Sequence, residues 1–151
     1  MAVLILSGSS NDKVFVEPAI KVFCDWSIPH EYVVASAHRQ PDKVKTLVST
    51  ARDKGFKVII ACAGFAAHLG GVCAAFTTLP VITLPVAPES NTLGGLDALL
   101  AMVQMPSGVP VATVGINQGK NAAILAAQIL AISDPQIANH LTAFKNQMAN
   151  G

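Results

Sequence analysis

Ser36, His38 and Arg39 place a hydroxyl, an imidazole and a guanidinium within four residues of one another. An imidazole exchanges protons near neutral pH, while a guanidinium keeps its charge and presents a fork of donors suited to phosphate. The three belong to a polar segment, Ala35-Ser36-Ala37-His38-Arg39-Gln40-Pro41, set between two apolar stretches. A lone His–Arg pair of this kind is most simply a solvated loop. Two further loops of matching character shift that balance. Gly8-Ser9-Ser10-Asn11-Asp12 joins a glycine that permits a sharp turn to amides that can bind an anion where a helix begins. Ser9, Ser10 and Asn11 add neutral donors and Asp12 can accept from ribose hydroxyls, although the same residue types also cap helices. Ala63–Gly71 is made of small residues that let a flat heterocycle lie close to the backbone. His68 within it is a polar anchor, a helix cap or an interface residue; its spacing does not choose. No Gly-Lys-Ser/Thr follows the first loop and its glycines lack GxGxxG spacing, which argues against a Walker loop and against a dinucleotide.

Residues so far apart in sequence need a scaffold that gathers them. Ala2–Leu6 is an unbroken apolar run, the pattern of a central parallel strand, and His30–Ala35 is β-branched and aromatic enough for a second. Between them a helix is expected from about Lys13 to Trp26, with Val16, Ile20, Phe23 and Cys24 on one face. Pro41 suits the first turn of a helix running to Asp53, and Gly55 suits its end. Further strands are expected at Lys57–Ala61, Leu79–Leu84 and Val109–Ile116, and further helices ending near Phe76 and spanning Leu96–Met105 and Asn121–Ile132. A polar last helix starts at Ser133-Asp134-Pro135 and is expected to pack on a neighbouring subunit. Ser90-Asn91-Thr92 is a mobile lid or a turn, with the turn favoured; Asp97 reads as structural, and His30 and His140 are given no role. Strands alternating with helices imply a three-layer α/β/α domain around a parallel five-stranded sheet. Within that class the flavodoxin-like order 2-1-3-4-5 is the expectation, spanning the chain as a single domain. It brings the carboxyl ends of the first three strands to one crevice.

Composition narrows the function classes. Of the 151 residues 52% are hydrophobic and only 13% charged, with few aromatics, so the apolar mass is Ala, Val, Ile and Leu. Such residues suit strands buried on both faces, and the surplus suits subunit interfaces, so a homo-oligomer is expected. No apolar run reaches the roughly 18 residues of a membrane span. A net charge of +1 without a Lys/Arg cluster argues against nucleic acid. Cys24, Cys62 and Cys73 are odd in number and lack metal-ligand spacing, so they read as buried thiols in a reducing cytoplasm. The opening Met1–Leu6 reads as a first strand rather than a signal peptide.

In their order along the chain, Gly8-Ser9-x-x-Asp12, Ser36-Ala37-His38-Arg39 with Pro41-Asp42, and Ala66-Ala67-His68-Leu69 resemble class I PurE, the N5-carboxyaminoimidazole ribonucleotide mutase family of purine synthesis. Gly95-Leu96-Asp97, Val103-Gln104-Met105-Pro106, Gly108-Val109-Pro110-Val111 and Asn121-Ala122-Ala123 extend the likeness over nearly the whole chain. The resemblance implies a flavodoxin-like domain in an octamer, with sites at subunit junctions and neither metal nor organic cofactor. It implies that Ser9, Asn11, Asp12 and Arg39 bind the nucleotide, with Arg39 on phosphate. Ser36, Ala63, Gly64, His68 and Leu69 would line the base and carboxylate pocket, and His38 would be the general acid and base. This sequence departs from the family pattern at Asn11 for serine, Cys62 and Phe65 for glycine, and Gly70 for proline. The alternatives are carboxylation of aminoimidazole ribonucleotide by carbon dioxide, as in class II relatives, or a catalytically silent nucleotide-binding module. The usual His-Lys pair of class II does not match His38-Arg39.

Overall fold

Successive side chains of a strand point to opposite faces, so an unbroken apolar strand can stand only between two apolar layers. The computed structural model, which describes residues 2–151, shows this arrangement. Strands β1 (Ala2–Ser7), β2 (His30–Val34), β3 (Phe56–Gly64), β4 (Val81–Val86) and β5 (Ala112–Thr113) pair in parallel in the order β2-β1-β3-β4-β5. Val3, Ile5, Val58, Ile60 and Ile82 enter one core with Phe23 and Leu130 from the helices. Leu4, Leu6, Ile59, Ala61 and Val81 enter the other with Val44, Leu69 and Met102. Each such aliphatic side chain stabilises the fold by about 1.5–3 kcal/mol when fully buried. The expected α/β/α layering and strand order are those observed.

The first core lies under α1 (Lys13–Asp25), α5 (Gly119–Ala131) and α6 (Pro135–Asn150); the second under α2 (Pro41–Ser49), α3 (Leu69–Ala75) and α4 (Leu96–Val103). Helices α1 and α5 pack closely because Ala122, Ala123, Ala126 and Ala127 are all buried and a Cβ at Gly119 would collide with the carbonyl oxygen of Phe15. Helix α6 lays Ile137 and Leu141 on its own chain's core, and Trp26 stacks on His140 at 5.9 Å between ring centroids.

Several boundaries differ from those read in the sequence. Strand β3 runs past Ala61 through Cys62, Ala63 and Gly64, because pairing to β4 as far as Gly64 with Val86 overrides their weak strand preference. Strand β4 begins at Val81, beyond Pro80, and continues through Pro85. Strand β5 contracts to Ala112–Thr113 from the expected Val109–Ile116: it has a partner on one side only, and Pro110 supplies no N–H. Helix α2 stops at Ser49 rather than Asp53, in a turn completed by Gly55 at φ +87°. Helix α4 ends at Val103, short of Met105, and α3 is confined to Leu69–Ala75. Cys62 and Cys73 are buried as expected, but Cys24 is exposed: it lies one helical step of about 100° beyond Phe23, off the buried stripe.

Candidate active site

The loop after β1 is held by its own polar atoms. Ser9 N–H donates to Asp12 Oδ2 at 3.0 Å and Asn11 N–H donates to Ser9 Oγ at 3.2 Å, a reciprocal cap on the 3-10 turn Ser10–Asp12 that leads into α1. Beneath it, Ser7 Oγ donates to the Ser9 carbonyl at 2.8 Å. A hydroxyl has one proton, so the 2.8 Å contact between Ser7 and Tyr32 is donated by the phenol. Burial pushes the Tyr32 phenol up. This Ser7–Tyr32 support is all but invisible in the sequence. Its only signal was a single tyrosine placed on a strand next to a strand-end serine.

The loop after β2 reaches across to the first. Arg39 Nη2 donates to the Gly8 carbonyl at 3.0 Å, while its Nε and its backbone N–H both donate to Ser36 Oγ at 3.3 Å. Ser36, buried, therefore brackets the guanidinium besides facing the cavity. Burial pushes the Asp12 carboxyl up from its ordinary value; the Ser9 amide and the Arg39 charge pull it part of the way back.

The third loop is different in kind. Ala63 and Gly64 are the end of β3, and a Cβ at Gly64 would stand 2.8 Å from the Val86 carbonyl oxygen, so only glycine fits there. Phe65 follows at φ +53°. His68 occupies the N-cap of α3 yet makes no side-chain capping bond, which removes one of its three readings. Its Nδ1 instead meets His38 Nε2 at 2.8 Å, the rings nearly perpendicular at 84° and 5.0 Å between centroids. One nitrogen must carry the shared proton and the other accept it.

These loops enclose a cavity of about 460 Å³, within the roughly 300–1,000 Å³ of small-molecule sites. From the first loop Ser9, Asn11 and Asp12 line it; from the second Ser36, His38 and Arg39; from the third Ala63, Gly64 and Leu69. His68 is exposed and is not in the wall; it meets the wall through its hydrogen bond to His38. An adjoining depression of about 320 Å³ shares Ser9, Ser36 and Arg39 and adds Ser10 and Gln40. Pro88, for which the sequence offered no role, and Ser90, from the lid-or-turn segment, line the cavity from the loop after β4. That loop is the expected turn: Asn91 Oδ1 accepts from Leu93 N–H at 2.8 Å, and its amide donates to Asp97 at 3.0 Å. Its first residues nevertheless project over the site. His30 bonds the Ile28 carbonyl and His140 stacks on Trp26, both away from the cavity. Among the described residues no group of three His, Cys, Asp or Glu side chains converges as metal ligands would.

The arrangement brings to one cavity a braced cation, neutral donors, a carboxyl and an imidazole bonded to a second imidazole, with apolar side chains completing the wall. A family profile described as AIR carboxylase matches residues 2–151. The N5-carboxyaminoimidazole ribonucleotide mutase of Pyrococcus abyssi is 48% identical over 144 residues, covering 95% of this chain and 82% of that protein. Its namesake from Thermotoga maritima is 47% identical over 144 residues, covering 95% and 83%. The crystal structure of Treponema denticola PurE superposes with a TM-score of 0.87 at 29% identity, over 99% of this chain and 92% of that one.

Proposed function

The chain belongs to the AIR carboxylase family, and from that premise we propose that it is an isomerase that interconverts N5-carboxyaminoimidazole ribonucleotide and 4-carboxyaminoimidazole ribonucleotide. The observation that carries the reading is the convergence of His38, Arg39 and Asp12 from two strand ends on one cavity with partly apolar walls. The relatives named as mutases support it over direct carboxylation.

Arg39 holds the phosphate, bracketed by Ser36 and Gly8 so that its fork is already oriented. Ser9 and Asn11 add neutral donors and Asp12 accepts from ribose. Ala63, Gly64 and Leu69 let the heterocycle lie flat against the end of β3. The substrate carbamate loses carbon dioxide as His38 delivers a proton to the departing nitrogen. The ring carbon then attacks the same carbon dioxide, and the imidazole removes the ring proton. Confinement replaces a bimolecular encounter, an advantage that reaches about 7–11 kcal/mol for well-oriented partners. His68, through its 2.8 Å bond, orients the His38 ring for both transfers. The reaction is an isomerisation, so it consumes no oxidant, reductant or co-substrate.

The working unit is a homo-oligomer, supported by Leu96, Leu100 and Val103 of α4 and Leu93 just before it, all exposed apolar side chains in the isolated chain; its octameric form follows the family resemblance. No helix among the described residues is long and apolar enough to cross a membrane, and three free thiols accord with a cytoplasmic setting.

An absorbance assay decides among the activities. Conversion of the carbamate substrate without added bicarbonate supports the mutase. Turnover only of aminoimidazole ribonucleotide with bicarbonate makes it a carboxylase, and binding without turnover makes it a silent module.

A further inference from the structure

The chain has a single tyrosine, Tyr32, and its ring packs against the first core rather than in the cavity wall. It stands in β2 opposite Ile5 of β1. Alternate residues of a strand share a face, so Ser7, two residues beyond Ile5, turns its side chain to the same side. The phenol reaches along that face to the end of β1 and donates to Ser7 Oγ at 2.8 Å. Ser7 is fully buried and its backbone is paired to both neighbouring strands, opposite Val34 and Cys62, so it cannot shift to suit the loop above it. With the phenol's proton on one side of its oxygen, the Ser7 hydroxyl directs its own proton at the Ser9 carbonyl, 2.8 Å away. That carbonyl also accepts the Asp12 N–H at 3.2 Å. Ser9 N–H is taken by Asp12 Oδ2 and Ser9 Oγ accepts from Asn11 N–H, so the proton of the Ser9 hydroxyl is what remains for a ligand. The bonds that start at Tyr32 therefore set where that hydroxyl and the Asp12 carboxyl sit.

Two ties thus join β2 and the loop it leads into to the loop after β1. One is made by Arg39, which donates to the Gly8 carbonyl at 3.0 Å but also lines the cavity. The other, from Tyr32 through Ser7 to Ser9, lies beneath the loop. We infer that Tyr32 is a positioning residue for nucleotide binding: acting through Ser7, it holds the loop after β1 level with the loop after β2, so that Ser9 and Asp12 meet the same ribonucleotide as Arg39. This rests on the reading above that the two loops hold a ribonucleotide. Without the phenol, the buried Ser7 oxygen loses a donor and its hydroxyl can turn. The loop must then be ordered as the ligand arrives, and that ordering subtracts from affinity. The reacting ring is held separately, by the His38–His68 bond, so the rate of the chemical step is left alone.

The test measures the Kd of 4-carboxyaminoimidazole ribonucleotide by calorimetry, and kcat by absorbance, on the full chain and four variants of it. Tyr32→Phe removes one hydroxyl and keeps the ring that packs on the core; it should weaken binding about three- to tenfold. Its kcat should stay within about twofold, as expected when only binding common to ground and transition states is lost. Ser7→Ala should weaken binding to a similar degree. The double variant Tyr32→Phe/Ser7→Ala should bind no worse than the weaker single one, because both changes cut the same chain of bonds. Thr113→Val is the control: it breaks a 2.8 Å bond to Thr83 on β5, the opposite edge of the sheet from β2, and should leave affinity unchanged. A Tyr32→Phe variant that binds as tightly as the unsubstituted protein overturns the inference alone. So does a double variant whose losses multiply, which would make the two residues independent. So does an equal loss in Thr113→Val, which would make the effect one of general stability, and so does a kcat that falls while Kd holds. No binding of the ribonucleotide by the unsubstituted protein overturns the reading of the site and this inference with it.

Discussion

The loops after β1 and β3 border the same cavity and solve different problems. In the first, Ser9, Asn11 and Asp12 bond one another, Ser7 supports Ser9 from below, and Arg39 grips the Gly8 carbonyl from the side. Its donors are positioned before any ligand arrives. In the third loop, residues 63–67 carry no polar side chain, His68 bonds outward to His38, and Phe65 is strained. Recognition of a charged group depends on fixed donors, whose reorganisation would subtract from affinity. Handling a neutral intermediate depends on shape and on excluding water. One crevice holds both because the strand order brings the two loops side by side.

Substitutions in each region break the comparison in different ways. His38→Asn should leave nucleotide binding intact and lower kcat by roughly 10²–10⁴-fold, the range of a lost general acid or base. Stopped-flow turnover beside calorimetric binding checks this, and retained turnover removes His38 from the mechanism. Arg39→Ala should chiefly weaken binding, by about 1.5–3 kcal/mol for a charge-assisted bond. Titration with the ribonucleotide and with its dephosphorylated nucleoside separates the outcomes: an equal loss for both would place Arg39 elsewhere than on phosphate. Ser9→Ala removes the acceptor for Asn11 N–H and should lower stability by about 1 kcal/mol, the cost of a lost cap, read as a lower urea midpoint. An unchanged midpoint would mean that the loop is not internally braced.

Asp12→Asn gives the smallest effect and the sharpest sign. Burial raises the carboxyl above its ordinary 3.8 in the folded state. The unfolded chain therefore ionises first as pH rises, and the folded protein loses stability between 3.8 and its own higher value. The amide can still accept from Ser9 N–H without carrying charge. Asp12→Asn should thus be slightly more stable than the parent at neutral pH, the gap closing as pH falls through the folded value and past 3.8. Denaturant midpoints from pH 3 to 8 measure it. A gap that widens in acid would show that the Ser9 and Arg39 contacts outweigh burial.

Most of the site could be read from residue types because its polar members cluster within short loops: Ser9 to Asp12, Ser36 to Arg39. Pro88 could not, and Ser90 only as part of a turn or lid, since that segment has no chemistry of its own and reaches the cavity only by where β4 ends. The roles within the cluster were legible in part. Ser36 lines the pocket as expected and also brackets Arg39; His68 looks like a polar anchor, a cap or an interface residue and proves to be bonded to His38. Such pairings span up to 31 residues.

What the sequence determined by itself was local: alternating apolar runs and amphipathic stretches, three strand-end loops, and the acid–base, cationic and small residues within them. Periodicity and capping act over a few residues, so one chain displays them without its neighbours. The tertiary structure alone decided that β3 extends to Gly64 while β5 shrinks to two residues, that Phe65 bears a left-handed backbone, and that one imidazole buttresses the other. Strand length follows from the partner across the ladder, and side-chain orientation from whatever lies opposite. Both are set between segments far apart in the chain, where local preference carries no information.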